Sequence, residues 1–171
     1  KLHRSVATWR GEDEINSYNY GKDGSFKSYV VKEHDKPEEK KEVDDALTQG
    51  TIDALTAGLL VFEKVGKGEE CTGFSEVFDG KRRFKQMFKH EDTVQLESSK
   101  YNIYKGPATE CVVEIEPITG KWHDKPRGWM SIQEQGRERG MMPTVWLAKI
   151  NENGPAVPVK IRVKTAYGTL F

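Results

Sequence analysis

The stretch Phe74-Ser75-Glu76-Val77-Phe78-Asp79-Gly80-Lys81-Arg82-Arg83-Phe84 constrains the fold of this chain more than any other. Phe74, Glu76 and Phe78 alternate with Ser75 and Val77, the period of a half-buried strand. Asp79-Gly80 then supplies the residue pair that a type I′ turn demands, and Lys81 to Phe88 returns antiparallel. The only two cysteines, Cys71 and Cys111, bracket this region.

Strand signals recur on both sides of the hairpin. Ser5–Arg10, Ile15–Tyr20 and Ser25–Val31 are β-rich, with Gly21-Lys22-Asp23-Gly24 as a turn before the last of them. Tyr18 and Tyr20 read as one face of a sheet. Residues 32–48 are the most polar segment, a surface loop or loosely held helix whose start is signalled by Asp35 before Pro37. Residues 51–62 form the best helix, with Thr51 as its cap, Ile52, Leu55, Leu59 and Phe62 as its core stripe, and Gly66 beyond its end. Downstream, residues 93–96 and 101–104 read as short strands, and Ala108 to Ile115 as a longer one that Pro117 ends or marks as an edge. Residues 119–143 hold no period and predict a long connection with one helical turn near Ser131–Glu138. Strands at Thr144–Ile150 and Val157–Thr165 close the chain.

Composition narrows the function classes. The 171 residues are one β-rich domain, 1–171, with 36% hydrophobic and 32% charged residues. Lys plus Arg and Asp plus Glu both number 27. That balance argues against a nucleic-acid binder, which needs a basic excess to displace counterions from phosphate. No run is long and apolar enough for a transmembrane segment. The chain opens Lys1-Leu2-His3-Arg4 without a Met, so it reads as a processed or trimmed fragment from which a signal has been lost. The cysteine spacing matches neither a zinc nor a redox site, leaving a disulfide or two buried free thiols.

No catalytic constellation stands out, so no catalytic residue, metal ligand or cofactor is assigned and the chain is read as no enzyme. His3, His34, His90 and His123 are scattered in polar contexts that suit surface imidazoles. The paired carboxylates Glu12-Asp13-Glu14, Glu91-Asp92 and Glu114 with Glu116 resemble the solvent face of any antiparallel sheet, although a glycosidase also uses two carboxylates. Trp122, Trp129 and Trp146, with Met130, Met141 and Met142, gather in or beside the irregular connection. They are candidate contacts for a hydrophobic ligand or partner, set against a role in plugging the open end of a sheet. Arg82 and Arg83 are candidate anion contacts at the hairpin, where Asp79 can also bond its own turn backbone.

Several blocks together carry a family resemblance. Cys71-Thr72-Gly73-Phe74-Ser75-Glu76-Val77-Phe78-Asp79-Gly80-Lys81-Arg82-Arg83-Phe84, then Gly106-Pro107-Ala108-Thr109-Glu110-Cys111, recur in order with Gly50 to Leu60 upstream and Val157 to Leu170 at the end. Over residues 49–170 the chain resembles a proteobacterial exported family catalogued only as a domain of unknown function. Residues 1–48 carry little of the likeness, and the family's extra early strands imply a chain that begins partway through its sheet. The resemblance implies a periplasmic protein in which Cys71 and Cys111 pair. It also implies a mainly β fold, a strongly curved antiparallel sheet (half-barrel or β-spiral) packed on one or two helices, akin to lipoprotein carriers and envelope-stress sensors. The function it suggests is non-enzymatic binding of lipid, lipoprotein or an envelope partner in support of envelope integrity. A structural subunit of a larger envelope assembly and a cell-wall or glycan hydrolase using remote carboxylates are the alternatives. Neither ligand identity nor oligomeric state is legible.

Overall fold

The computed structural model describes residues 2–9, 11–100, 102–165 and 168–170, with the side chains of 2–5 and 9 set aside. Strand accounts for 49% of the chain and helix for 17%, so the mainly β expectation holds. There are two antiparallel sheets rather than one, and neither closes into a barrel. Contacts divide the chain into two compact units, one of residues 1–56, 76–84 and 117–122, the other of the remainder.

The first unit contains a four-stranded meander of β1 (Leu2–Trp9), β2 (Glu12–Tyr20), β3 (Phe26–Glu33) and β4 (Glu39–Lys41). The expected turn at 21–24 is present, closed by the Gly21 amide donating to the Ser25 carbonyl at 2.7 Å. The strand expected over 5–10 is β1, though Arg10 lies outside the described residues. β4 was not foreseen, because a strand of Glu39, Lys40 and Lys41 has no apolar alternation to reveal it. The polar segment also holds α1 (Asp45–Thr48), whose first turn is capped by Asp44 accepting from the Ala46 amide at 2.8 Å.

An aromatic core fills this unit. Tyr18 stacks on Tyr29 at 4.6 Å, Phe26 meets Phe78 edge-on at 5.2 Å, and the Tyr20 hydroxyl donates to the Phe78 carbonyl at 3.2 Å. Tyr18 and Tyr20 do share one buried sheet face, as their spacing predicts. Gly80 must be glycine: its φ is +97°, and a Cβ would lie 2.2 Å from the Tyr18 hydroxyl oxygen.

Burial raises the phenol pKa of Tyr20 from 10.0 to about 12, with Asp53 and Asp79 nearby adding to the effect. The fold therefore holds Tyr20 neutral where the unfolded chain already ionises. This stabilisation is complete below pH 10.0, is lost as the pH rises toward about 12, and has no acid limb. Urea midpoints taken at successive alkaline pH values should fall across that window, and Tyr20→Phe should fall less steeply. Equal slopes would disprove the linkage.

The six-stranded sheet runs β10-β9-β8-β7-β6-β5, each strand beside its sequence neighbour. Its members are β5 (Gly73–Phe78), β6 (Arg82–Leu96), β7 (Gly106–Gly120), β8 (Thr144–Ala148), β9 (Val157–Thr165) and β10 (Gly168–Leu170). The hairpin falls where expected, but its turn is not the type I′ that Asp79-Gly80 signals. Of that pair only Gly80 has a positive φ, +97°, and the Asp79 amide donates to the Arg82 carbonyl at 3.2 Å, which puts Gly80 and Lys81 at the tip. Asp79 instead holds the turn through its side chain, the carboxylate accepting from the amides of Lys81 and Arg82 at 3.1 and 2.8 Å. The separate strand expected at 93–96 is the end of β6. The one expected at 101–104 begins outside the described residues, and Asn102 makes only an isolated bridge to Ser99.

Two further elements differ from expectation for identifiable reasons. Pro117 does not end β7, which continues to Gly120. Register with β8 stops at Val112, and beyond it the Val113 amide donates to the Pro143 carbonyl at 2.9 Å. The buried amide of Gln133 then brackets Ile115, accepting from its N–H at 2.7 Å and donating to its C=O at 3.0 Å. By alternation Pro117 presents its nitrogen to that same strandless side, where a missing N–H breaks no ladder. Gln133 belongs to α3 (Trp129–Glu138), almost three turns of helix where the irregular composition predicted one.

The helix α2 (Ala54–Gly66) starts later than Thr51 and is capped by Asp53, whose carboxylate accepts from the Thr56 amide at 2.9 Å. Its inward face also differs. Ala57, Gly58, Val61 and Val65 are buried, whereas Leu55, Leu59 and Leu60 are 71%, 42% and 47% exposed. Close backbone approach decides this rotation. A Cβ on Gly66 would lie 2.9 Å from the Ala156 nitrogen and the Gly154 oxygen, and the Ala156 amide donates to the Phe62 carbonyl at 2.9 Å. Only the small-residue face can come that near.

Candidate binding site

In the second unit Val61 and Val65 of α2 pack with Phe88, Val145, Leu147 and the two cysteines in one core cluster. Cys71 and Cys111 form a disulfide, with their Cα atoms 6.2 Å apart and both residues wholly buried. It ties the segment between α2 and β5 to the middle of β7. The His90 ring nitrogen Nδ1 lies 3.9 Å from the Cys71 sulfur.

Because α2 turns its small residues inward, Leu60 borders an open groove of about 390 Å³. Leu60, Lys64 and Lys67 form one wall, Thr72 and Phe74 the other, and Phe88 lies at the base. Phe74 is 64% exposed, and the Lys85 ammonium sits 5.8 Å from its ring centroid. The Lys64 ammonium reaches the Thr72 carbonyl at 3.5 Å. The lining is mixed, with Leu60, Val61, Phe74 and Phe88 as its apolar side chains among charged and polar ones that include Glu63, Glu69 and Gln86. Its volume is in the range that takes a small ligand or a short chain segment.

The residues singled out from sequence fall elsewhere. Trp122, in the first unit, lies edge-on to Phe84 and beneath the Arg82 guanidinium at 4.8 Å, with its indole N–H donating to the Thr119 carbonyl. Trp146 is 3% exposed in the core formed with Leu96, Ala108 and Ala148, and Lys160 and Arg162 lie over its ring at 4.6 and 4.9 Å. Trp129 and Met130 open α3, and Met141 and Met142 follow it, all half-buried. None of the six lines the groove.

Arg82 and Arg83 are both engaged within the hairpin. Arg82 clamps the Asp79 carboxylate with Nε at 2.8 Å, and Arg83 binds Glu76 with Nε at 2.8 Å and the Ala46 carbonyl at 2.7 Å. The carboxylates Glu114 and Glu116 are held by Arg137 and by Lys85, the latter at 3.6 Å. Among the described residues no cluster of three or more His, Cys, Asp or Glu is arranged to hold a metal, and no helix is long and apolar enough to cross a membrane. The side chain of His3 lies outside the described residues.

Leu59, Leu60 and Phe74 were missed because each was assigned to a core or left aside. A signal was present: α2 carries more apolar residues than one buried stripe requires, so a second apolar face had to remain.

Comparison with known proteins adds the family. The family model described as a protein of unknown function, DUF3108, matches residues 2–171. The chain belongs to DUF3108. The match takes in residues 2–48 of this DUF3108 protein, part of a region, 1–48, in which the block resemblance was weak. No curated protein and no solved structure matches the chain.

Proposed function

We propose that this DUF3108 protein is a non-enzymatic periplasmic binding protein of the bacterial envelope. It takes a lipid, a lipoprotein or another envelope partner against the apolar outer face of α2, and in doing so supports envelope integrity. The observation that carries this is the two-faced helix, with Leu60 exposed beside Phe74 and Leu59 exposed next to it in sequence, while the inward face is built from Ala57, Gly58, Val61 and Val65. Full burial of an exposed leucine is favourable by roughly 1.5 kcal/mol or more, and covering the exposed part of Leu59 and Leu60 recovers a share of that, which favours an apolar occupant. The buried disulfide supports an oxidising compartment. Proteobacterial origin and fold similarity to lipoprotein carriers and envelope-stress sensors are part of the same reading.

The test is recovery from the native host with and without the double substitution Leu59→Ser/Leu60→Ser. Both side chains are exposed, so the variant should keep the wild-type unfolding midpoint. Mass spectrometry of extracted lipid, together with cross-linked partner analysis, should show an acyl-bearing species or one stoichiometric protein on the wild type only. Recovery of neither, or equal recovery from both forms, would overturn the proposal.

A further inference from the structure

We propose that the occupant of the α2 groove is an extended polypeptide segment that adds a strand to the outer edge of β5; this rests on the binding role above and names its partner class. β5 is the last strand of its sheet and pairs with β6 alone among the named strands. Backbone groups alternate along a strand, and the outward set on β5 is revealed by one contact. Ile52 donates its N–H to the Glu76 carbonyl at 3.0 Å and accepts from the Phe78 N–H at 3.2 Å, an isolated parallel bridge opposite Val77. The even-numbered residues therefore direct their N–H and C=O away from β6. At the groove these are the carbonyl of Thr72 and both groups of Phe74.

The Thr72 carbonyl receives the Lys64 ammonium, while no described residue outside the sheet takes the N–H or C=O of Phe74. Such an edge is a template for another strand. Ile52 shows that this edge accepts a parallel partner, and the chain cannot extend that pairing itself, because residues 45–48 just before it are helical. An acyl chain could cover Leu60 and Phe74 but would bury the Phe74 N–H and C=O unpaired. An added strand pairs both and can set its side chains against the mixed apolar and polar lining, Leu60 and Phe74 beside Lys64 and Lys67. That difference selects a peptide over a lipid.

Whole chain with its disulfide intact, panned with displayed random heptapeptides, tests this. Enriched peptides should slow hydrogen exchange at the Phe74 amide by about tenfold, as expected of a newly bonded edge N–H. Phe74→Pro removes an N–H that faces away from β6, so it spares the ladder and should weaken peptide binding about tenfold. Phe74→Val keeps the N–H and should retain most of the affinity. Should Phe74→Pro fail to fold, the exchange measurement on wild type decides alone. No enriched peptide, or peptides that leave the Phe74 amide unprotected, would overturn strand addition. Laurate, offered in parallel, separates the two readings: laurate binding without peptide binding removes this inference and leaves the binding role standing, whereas binding of neither removes both. A dimer dissolved by Phe74→Pro would put a second copy's β5 in the groove and overturn the assignment to a separate polypeptide.

Discussion

Replacing Cys71 and Cys111 together by alanine is expected to destabilise the protein by about 4 kcal/mol, the chain-entropy cost of opening a loop of this length, although the origin of that term is model-dependent. The bridged residues are 40 positions apart. Stability of native domains is typically only about 5–15 kcal/mol, so the loss removes a large share of the total. Position adds to loop length here. The sulfurs sit in the cluster of Val61, Val65, Phe88, Val145 and Leu147, so the bridge fastens the α2–β5 connection to β7 inside the core. Urea unfolding of the double variant against wild type gives the difference directly, and a loss below about 1 kcal/mol would mean that the bridge constrains little. Mass-tag labelling without reductant should modify neither cysteine, since both are wholly buried as well as bonded.

Phe78→Ala is the second large effect, expected at about 3–5 kcal/mol. Phe78 is 1% exposed, meets Phe26 edge-on at 5.2 Å, and its carbonyl receives the Tyr20 hydroxyl. Truncation would leave a cavity against aromatic rings that cannot collapse far without losing their own edge contacts. Phe74→Ala is the matched control. It removes the same side chain four residues earlier in the same strand, from a site that is 64% exposed. Denaturation should show a large shift for the first and under about 0.5 kcal/mol for the second, as for ordinary surface positions. If the two shifts were equal, the assignment of Phe74 to a surface groove would be wrong.

That pair also marks how far local pattern reaches. Phe74 and Phe78 share a strand face by alternation, and the pattern by itself does not distinguish them. Their burial differs because different elements lie over them, which period two cannot express. The same holds for α2. Its apolar residues were legible, and so was a helix ending at a glycine. Its rotation was not, since that depends on how closely residues 154–156 approach Gly66. Pro117 was read as a strand end or an edge, and the edge is what the fold shows; what the sequence contains no sign of is that Gln133, sixteen positions later, brackets the adjoining edge of β7. The tryptophan and methionine cluster was read from nearness in sequence, and the fold instead places Trp146 in a core and Trp122 against Phe84.

What the sequence by itself determined was the set of features that depend on neighbours in the chain. These were the mainly β class, the Asp79-Gly80 hairpin, the turn at 21–24, the helix before Gly66 and, through recurring blocks, the family. Each rests on turn chemistry or on periodicity over a few residues. The pairing of Cys71 with Cys111, which the resemblance implied, is present as well. The tertiary structure alone decided which face of α2 meets water, which edge of β5 stays open, and which side chains surround the disulfide. Those outcomes depend on contacts between residues tens of positions apart, where side-chain volume and backbone clearance, rather than local preference, select the arrangement.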